Sequence, residues 1–288
     1  MVEARVQAAL GEAYDFATET TLEGIRAGYD RCMGKGTLPP GVTRSDGEVG
    51  GVPGAWFTPE GAEDVTLFLH GGGYFAGSSV SHGDLAAAIA AVSNSKVFAA
   101  DYGLAPERPH PAAVEDALAA YEALRADATG RVFIVGDSAG GGLAVSTLVA
   151  ARDKGVAQPN AAALMSPWAD LTLTNDDIDT NAAIDPVVTR GGLEFNVSLY
   201  APDQDVKNPL ISPVYADLSG LPPLYVQVGT EEVLQQDALT IVENARAAGV
   251  DVTLDIEEGM PHVHQILLWA LPEAEDAVRR IGEFLAAH

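Results

Sequence analysis

Gly136-Asp137-Ser138-Ala139-Gly140 stands between the apolar run Val132-Phe133-Ile134-Val135 and a helix-forming segment that opens on small residues. A chain that passes from strand to helix in so few residues must turn sharply. Gly136 and Gly140 permit the backbone angles and the close neighbours that such a turn demands. The serine at its apex then has its hydroxyl lifted clear of a sheet edge. A second glycine loop, His70-Gly71-Gly72-Gly73, follows the apolar run from Val65 to Leu69. Two glycine-bearing loops at strand exits predict a sheet whose strands end at a common rim.

The rest of the chain keeps that rhythm. Strands are expected at 65–69, 96–100, 132–135, 162–165, 224–228 and 252–256. Helical segments fall between them at about 82–91, 111–124, 139–152 and 237–248, and a last one runs over about 273–287. Strands alternating with helices predict βαβ units and an α/β fold with a parallel sheet. Residues 1 to about 38 read as one or two helices ending near Gly34-Lys35-Gly36. The alternation breaks from about Thr172 to Leu210, a stretch with the look of an insertion that carries its own helix over about 190–200.

Composition narrows the partners. Forty-one acidic residues against 16 basic ones leave a net charge of −25. Nucleic acid and anionic membrane surfaces would be repelled. One cysteine, Cys32, forms no internal disulfide, which fits a reducing compartment and gives a cytoplasmic expectation. The N-terminal MVEARVQAAL has no basic segment followed by a long apolar run, and no stretch approaches eighteen apolar residues, so neither a signal peptide nor a membrane span is read.

A free serine hydroxyl is a poor nucleophile. It needs a base to take its proton and a third group to orient that base. Bare amides of Gly72 and Gly73, with Gly71 as a further candidate, together with the Ala139 amide at the helix start, are the expected donors to a charged tetrahedral oxygen. A phosphate cradle is the rival use of such a loop, but no Gly-Lys-Ser/Thr follows it. In this architecture the partners come in the order serine, acid, histidine, beyond the ends of later strands. Of the six histidines only His262 and His264 lie in a late loop after a strand. His262, first after Gly259-Met260-Pro261, is the expected base, and His264 is read as a packing or pocket residue. Glu232 is the favoured acid, with Glu231 and Asp237 as alternatives.

From about residue 65 onward the chain resembles the hormone-sensitive-lipase group of α/β-hydrolases, the bacterial esterase family IV. The resemblance is carried by HGGGYFAGS (70–78), DYGLAPERPHPAAVEDA (101–117), VGDSAGGGLA (135–144), SPWADLT (166–172), GLPPLYVQVGTEEVLQQDA (220–238) and GMPHVHQ (259–265). The Glu-Val-Leu (232–234) and Pro-Glu-Ala (272–274) segments look most like its carboxylesterase and lactone-hydrolase branch. The resemblance implies an α/β-hydrolase fold with a helical cap, Ser138 as nucleophile, His262 as base and Glu232 as its orienter. Most relatives have Asp at 232, and this chain has the longer Glu. It also departs at Gly103, where Arg is usual, and at His110, where Phe is usual. Altered local packing is expected at both. By the same resemblance, 1–45 and 172–210 form the cap over a core of 46–171 and 211–288. Phe195 and Leu199, four apart on one helix face, are candidates to line an acyl pocket or to seal cap to core. Tyr74, next after the glycine loop, is a further pocket candidate.

These features predict hydrolysis of short- to medium-chain carboxylic esters through an acyl-enzyme, with a small-molecule ester as partner and no metal or organic cofactor. The same triad would serve a lactone, an aryl amide or an acetylated carbohydrate. A non-catalytic small-molecule receptor is the rival from another class, and His262 speaks against it. Long-chain triglyceride is not expected, since no apolar lid helix is read. A homodimer is left open by the resemblance alone.

Overall fold

The computed structural model describes residues 2–14 and 19–288, so residues 1 and 15–18 of the expected N-terminal cap segment lie outside it. Its centre is an eight-stranded sheet. The strands are β1 (Val42–Val49), β2 (Val52–Pro59), β3 (Asp64–Leu69), β4 (Ser95–Ala100), β5 (Val132–Asp137), β6 (Ala161–Met165), β7 (Leu224–Glu231) and β8 (Val252–Pro261). Their spatial order is β1-β2-β4-β3-β5-β6-β7-β8. β2 runs antiparallel to both β1 and β4, and the pairings from β4 through β8 are parallel.

β1 and β2 correct the sequence reading, which assigned no strand to this stretch. Val42–Val49 is exposed along most of its length. As an edge strand it needs no apolar face, so periodicity gives no signal there. The hairpin turns at Gly50 and Gly51, with φ of 61° and 82°. Both residues lie where only glycine is unstrained, and a side chain on Gly50 would also run into the backbone of Ala119.

The inner strands are buried on both faces, which explains their unbroken apolar runs. Successive side chains alternate between two cores. Leu67, Leu69 and Ile134 join Ala113, Leu143, Leu148 and Ile241. These last come from α4 (Ala112–Asp127), α5 (Ala139–Asp153) and α8 (Gln235–Ala247). Phe68, Phe133 and Val135 join Leu85, Ile89, Val278 and Ile281. These come from α3 (Gly83–Ser93) and α9 (Pro272–Ala287). Each Leu, Ile, Val or Phe among them contributes about 1.5–3 kcal/mol by leaving water.

Two segments lie outside this three-layer core. α1 (Val2–Ala13) and α2 (Leu22–Met33) bury Val6, Leu10 and Met33 against Met260, Val263 and Ile266 beyond β8. Thr21 caps α2 through its side chain, and the helix stops at Gly34. Arg26 of α2 donates to the carbonyls of Phe75 and Ala105 and to the Glu107 carboxylate, which ties this helix to the loop after β3. Between β6 and β7 lie α6 (Asp177–Thr180) and α7 (Arg190–Tyr200). Among the described residues no helix is long and apolar enough to cross a membrane.

The packing at the two departures from the family pattern is visible. At Gly103 a side chain would collide with the Arg108 guanidinium, which pairs with Asp116. Arg108 thus fills the space that glycine leaves. His110 keeps an aromatic role, edge-on to Tyr200 at 5.6 Å.

The strand order places the site. β3 has β4 on one side and β5 on the other. The chain moves outward in one direction and then returns to build the other way. That reversal opens a crevice at the carboxyl ends of β3 and β5. The glycine loop follows β3, and Ser138 follows β5.

Candidate active site

Ser138 sits between β5 and α5 with φ 51° and ψ −121°. A non-glycine residue holds such angles only where its surroundings impose them. Here the Ser138 amide donates to the Met165 carbonyl at 2.9 Å, and its own carbonyl accepts from Gly142 and Trp168 at 3.1 and 2.9 Å. Gly136 and Gly140 permit the turn by lacking side chains. A Cβ on the first would enter the Gly140 carbonyl, and one on the second would enter those of Leu69 and His70.

Ser138 Oγ lies 2.9 Å from His262 Nε2, and His262 Nδ1 lies 2.8 Å from Glu232 Oε2. The structure therefore brings together the three residues chosen from the sequence. Glu232 is fully buried, and its other oxygen accepts the Gly229 amide at 2.6 Å and the Ser166 hydroxyl at 2.9 Å. Ser166 in turn accepts the Val263 amide at 3.1 Å. The longer Glu arm thus reaches the imidazole while two donors hold its far oxygen.

The rival carboxylates do other work. Asp237 accepts from the Ala169 and Asp170 amides and the Asn175 side chain at 2.7–2.9 Å, bracing the segment after β6 against α8. Burial still pushes its pKa up to about 7. Glu231 is half-buried and makes no side-chain bond among the described residues to His262. His264 is fully buried, and burial lowers its pKa to about 4, as its reading as a packing residue implies.

The electrostatics of His262 combine opposed effects. Burial disfavours its charged form, but the hydrogen bond and charge of Glu232 favour it, with Asp185 and Asp137 adding to them. The pKa ends above the ordinary 6.5. The imidazole is tuned to accept and hold a proton.

Gly72 and Gly73 line the same opening as Ser138 and His262. Gly72 and Gly73 have φ of 111° and 61°. No hydrogen bond among the described residues takes their amides or that of Ala139. Gly71 is a correction to the expected donor set: its amide is spent on Asp137 Oδ1 at 3.0 Å.

A cavity of about 260 Å³ opens over Ser138 and His262. α2 contributes Ile25, Tyr29 and Met33 to its wall, α7 contributes Gly192, Leu193 and Asn196, and Trp168 and Leu234 come from the core. The three pocket candidates are a second correction. Tyr74 is buried and stacked on Tyr200 at 3.8 Å. Phe195 is 46% exposed and stands T-shaped to Phe75 at 5.9 Å, outside the cavity lining. Leu199 packs on the main core. Phe195 and Leu199 do share a face of α7, but Leu193 and Asn196 are on the one turned to the cavity. The sequence reading also passed over Ser166 as the group that holds Glu232. Its place directly after β6 was the available signal. Among the described residues no group of His, Cys, Asp or Glu is arranged to hold a metal ion.

Comparison with known proteins agrees with this geometry. A family profile described as alpha/beta hydrolase fold matches residues 66–266. An acetyl-hydrolase of Streptomyces hygroscopicus is 40% identical over 92% of this chain and 89% of its own. The carboxylesterase NlhH of Mycobacterium tuberculosis is 31% identical over 75% of this chain and 71% of its own. The crystal structure of an esterase from the bacterial hormone-sensitive lipase family superposes with a TM-score of 0.95 at 41% identity, covering 99% of this chain and 98% of that one. Strand order, the strand–turn–helix at Ser138, the glycine loop and these likenesses agree, and the chain belongs to the α/β-hydrolase fold family, within its hormone-sensitive-lipase group.

Proposed function

We propose that the chain is a serine carboxylesterase that cleaves short- to medium-chain carboxylic esters through an acyl-enzyme. The observation that carries this reading is the continuous path from Ser138 Oγ through His262 to Glu232, at 2.9 and 2.8 Å. Ser138 attacks the ester carbonyl while His262 Nε2 takes its proton. The carbonyl oxygen becomes an oxyanion facing the amides of Gly72, Gly73 and Ala139, with the positive end of α5 behind the last. His262 then gives its proton to the departing alcohol. Water enters, loses a proton to His262 and attacks the acyl carbon, and His262 returns that proton to Ser138 Oγ as the acid departs. Glu232 keeps the imidazole in the needed tautomer and offsets its positive charge.

The N-terminal segment (1–45) and the insertion (172–210) serve as the cap over a core of 46–171 and 211–288. The wall residues supplied by α2 and α7 support this division. A cavity of this size and mostly apolar lining favours compact acyl groups over long ones. The single, buried cysteine supports a cytoplasmic location.

Ser138→Ala tests the mechanism. Hydrolysis of 4-nitrophenyl butyrate is expected to fall by about 10⁴-fold or more, as for other serine triads. Stoichiometric labelling by a fluorophosphonate is expected to vanish with it. A Ser138→Ala protein that hydrolyses at the parent rate overturns the reading.

A further inference from the structure

Asp137 is the variable position of the nucleophile turn, and no step above uses it. It is 2% exposed. A carboxylate at that depth persists only where donors meet it. Oδ1 accepts the Gly71 amide at 3.0 Å, and Oδ2 lies 3.4 Å from His82 Nε2. His82 is equally buried, stands at the start of α3 and has its Nδ1 3.0 Å from Ser81 Oγ. A carboxylate can only accept, so Nε2 is the His82 nitrogen placed to offer it a hydrogen. Two carboxylate–imidazole pairs therefore flank Ser138. Glu232–His262 reaches its hydroxyl. Asp137–His82 reaches the glycine loop instead.

That loop has its own internal bonds, in which the Gly72 carbonyl accepts from Phe75 and Ala76. They shape it without tying it to the nucleophile. The Gly71–Asp137 bond makes that tie, because Asp137 immediately precedes Ser138 and Gly71 immediately precedes Gly72. The fit is close: a Cβ on Gly71 would enter Asp137 Oδ2 and stand 3.1 Å from Ser138 Cβ. The geometry points to Asp137 and His82 as a positioning pair for the oxyanion hole. Oriented by His82, the Asp137 carboxylate fixes Gly71 so that the amides of Gly72 and Gly73 converge with that of Ala139 on the oxygen of the attacked carbonyl. This rests on the reading of Ser138 as nucleophile.

The test compares Asp137→Asn, Asp137→Leu and His82→Ala in the full chain, each rate normalised to sites titrated with a fluorophosphonate. Asn keeps an oxygen for the Gly71 amide and loses the charge, whereas Leu loses both. For Asp137→Leu, kcat on 4-nitrophenyl butyrate is expected to fall about 100-fold, the scale of one lost oxyanion donor, with KM within about threefold. Affinity for a trifluoromethyl ketone, whose serine adduct carries the oxyanion, is expected to fall in parallel. Asp137→Asn is expected to stay within about tenfold of the parent. Its acid limb is expected to move to lower pH, because one of the charges that raise the His262 pKa is gone while Glu232 and Asp185 remain. His82→Ala is expected between the two.

Equal kcat per titrated site and equal ketone affinity in Asp137→Leu overturn the inference, since a residue that only braces the fold would lower the number of active sites and not their rate. If Asp137→Leu does not fold, Asp137→Asn decides: a loss of about 100-fold per titrated site overturns it. An active Ser138→Ala control defeats the underlying reading. An inactive control beside an unaffected Asp137→Leu defeats this inference alone.

Discussion

At the scale of residues, the triad turns on how the carboxylate at 232 is held. Its two oxygens divide the labour, one on His262 and the other on Gly229 and Ser166. Because Glu232 raises the His262 pKa above 6.5, the imidazolium survives to higher pH than in a free histidine. A base must be neutral to act, so kcat/KM is expected to fall in acid with a midpoint above 6.5. Glu232→Gln removes the charge. The midpoint should then move down, and kcat should drop about 10³-fold or more as the tautomer is no longer held. A pH–rate profile of both proteins checks this, and an unmoved midpoint would contradict the assigned coupling. Ser138 and His262 were legible in the sequence because a strand–turn–helix glycine motif and a late histidine loop each leave a local trace. Glu232 was legible as the favoured one of three carboxylates, without the contacts that single it out. What separates it from Asp237 is which buried donors each one meets, and those come from β6, β7 and the loops beyond them.

At the scale of elements, the parallel strands were readable from their apolar runs, since burial on both faces leaves no polar positions to confuse the pattern. β1 and β2 were not, because one edge of the hairpin faces water. The rotation of α7 was hidden as well. Spacing tells which residues share a helix face, while packing decides which face meets the cavity. Leu193 is 3% exposed and lines the cavity, whereas Phe195 is 46% exposed and does not. Leu193→Ala should therefore deepen the site. We expect kcat/KM for 4-nitrophenyl octanoate to rise about tenfold relative to the butyrate, about the worth of one newly accommodated methylene. Phe195→Ala should leave that ratio within about twofold, as surface changes do. An acyl-length series on the two variants separates the faces, and the reverse ranking would refute the orientation of the helix.

At the scale of the whole molecule, charge acts over distances that no single contact reveals. With 41 acidic and 16 basic residues, pairing every cation still leaves 25 carboxylates in excess. Many of the cations are already committed at the surface, as in Arg279 with Asp276 and Glu283 or Arg190 with Asp179. Such exposed pairs are worth about 0–1 kcal/mol each, so their loss in salt is small. The excess carboxylates repel one another across the surface, and that repulsion disfavours the compact state. The two effects respond to salt with opposite sign, and range decides between them. A contact pair at less than 4 Å lies inside the screening length under ordinary conditions. Repulsion spread over the surface is screened strongly as that length falls from about 30 Å at 0.01 M to about 8 Å at 0.15 M. Adding sodium chloride over that interval at pH 7 is therefore expected to raise the thermal midpoint by a few degrees, followed by scanning calorimetry. The active-site pair should not follow the same course, because Glu232 and His262 are buried and little screened. A midpoint that falls steadily with salt would mean that local ion pairs, rather than the −25 of excess charge, dominate the electrostatic balance of the fold.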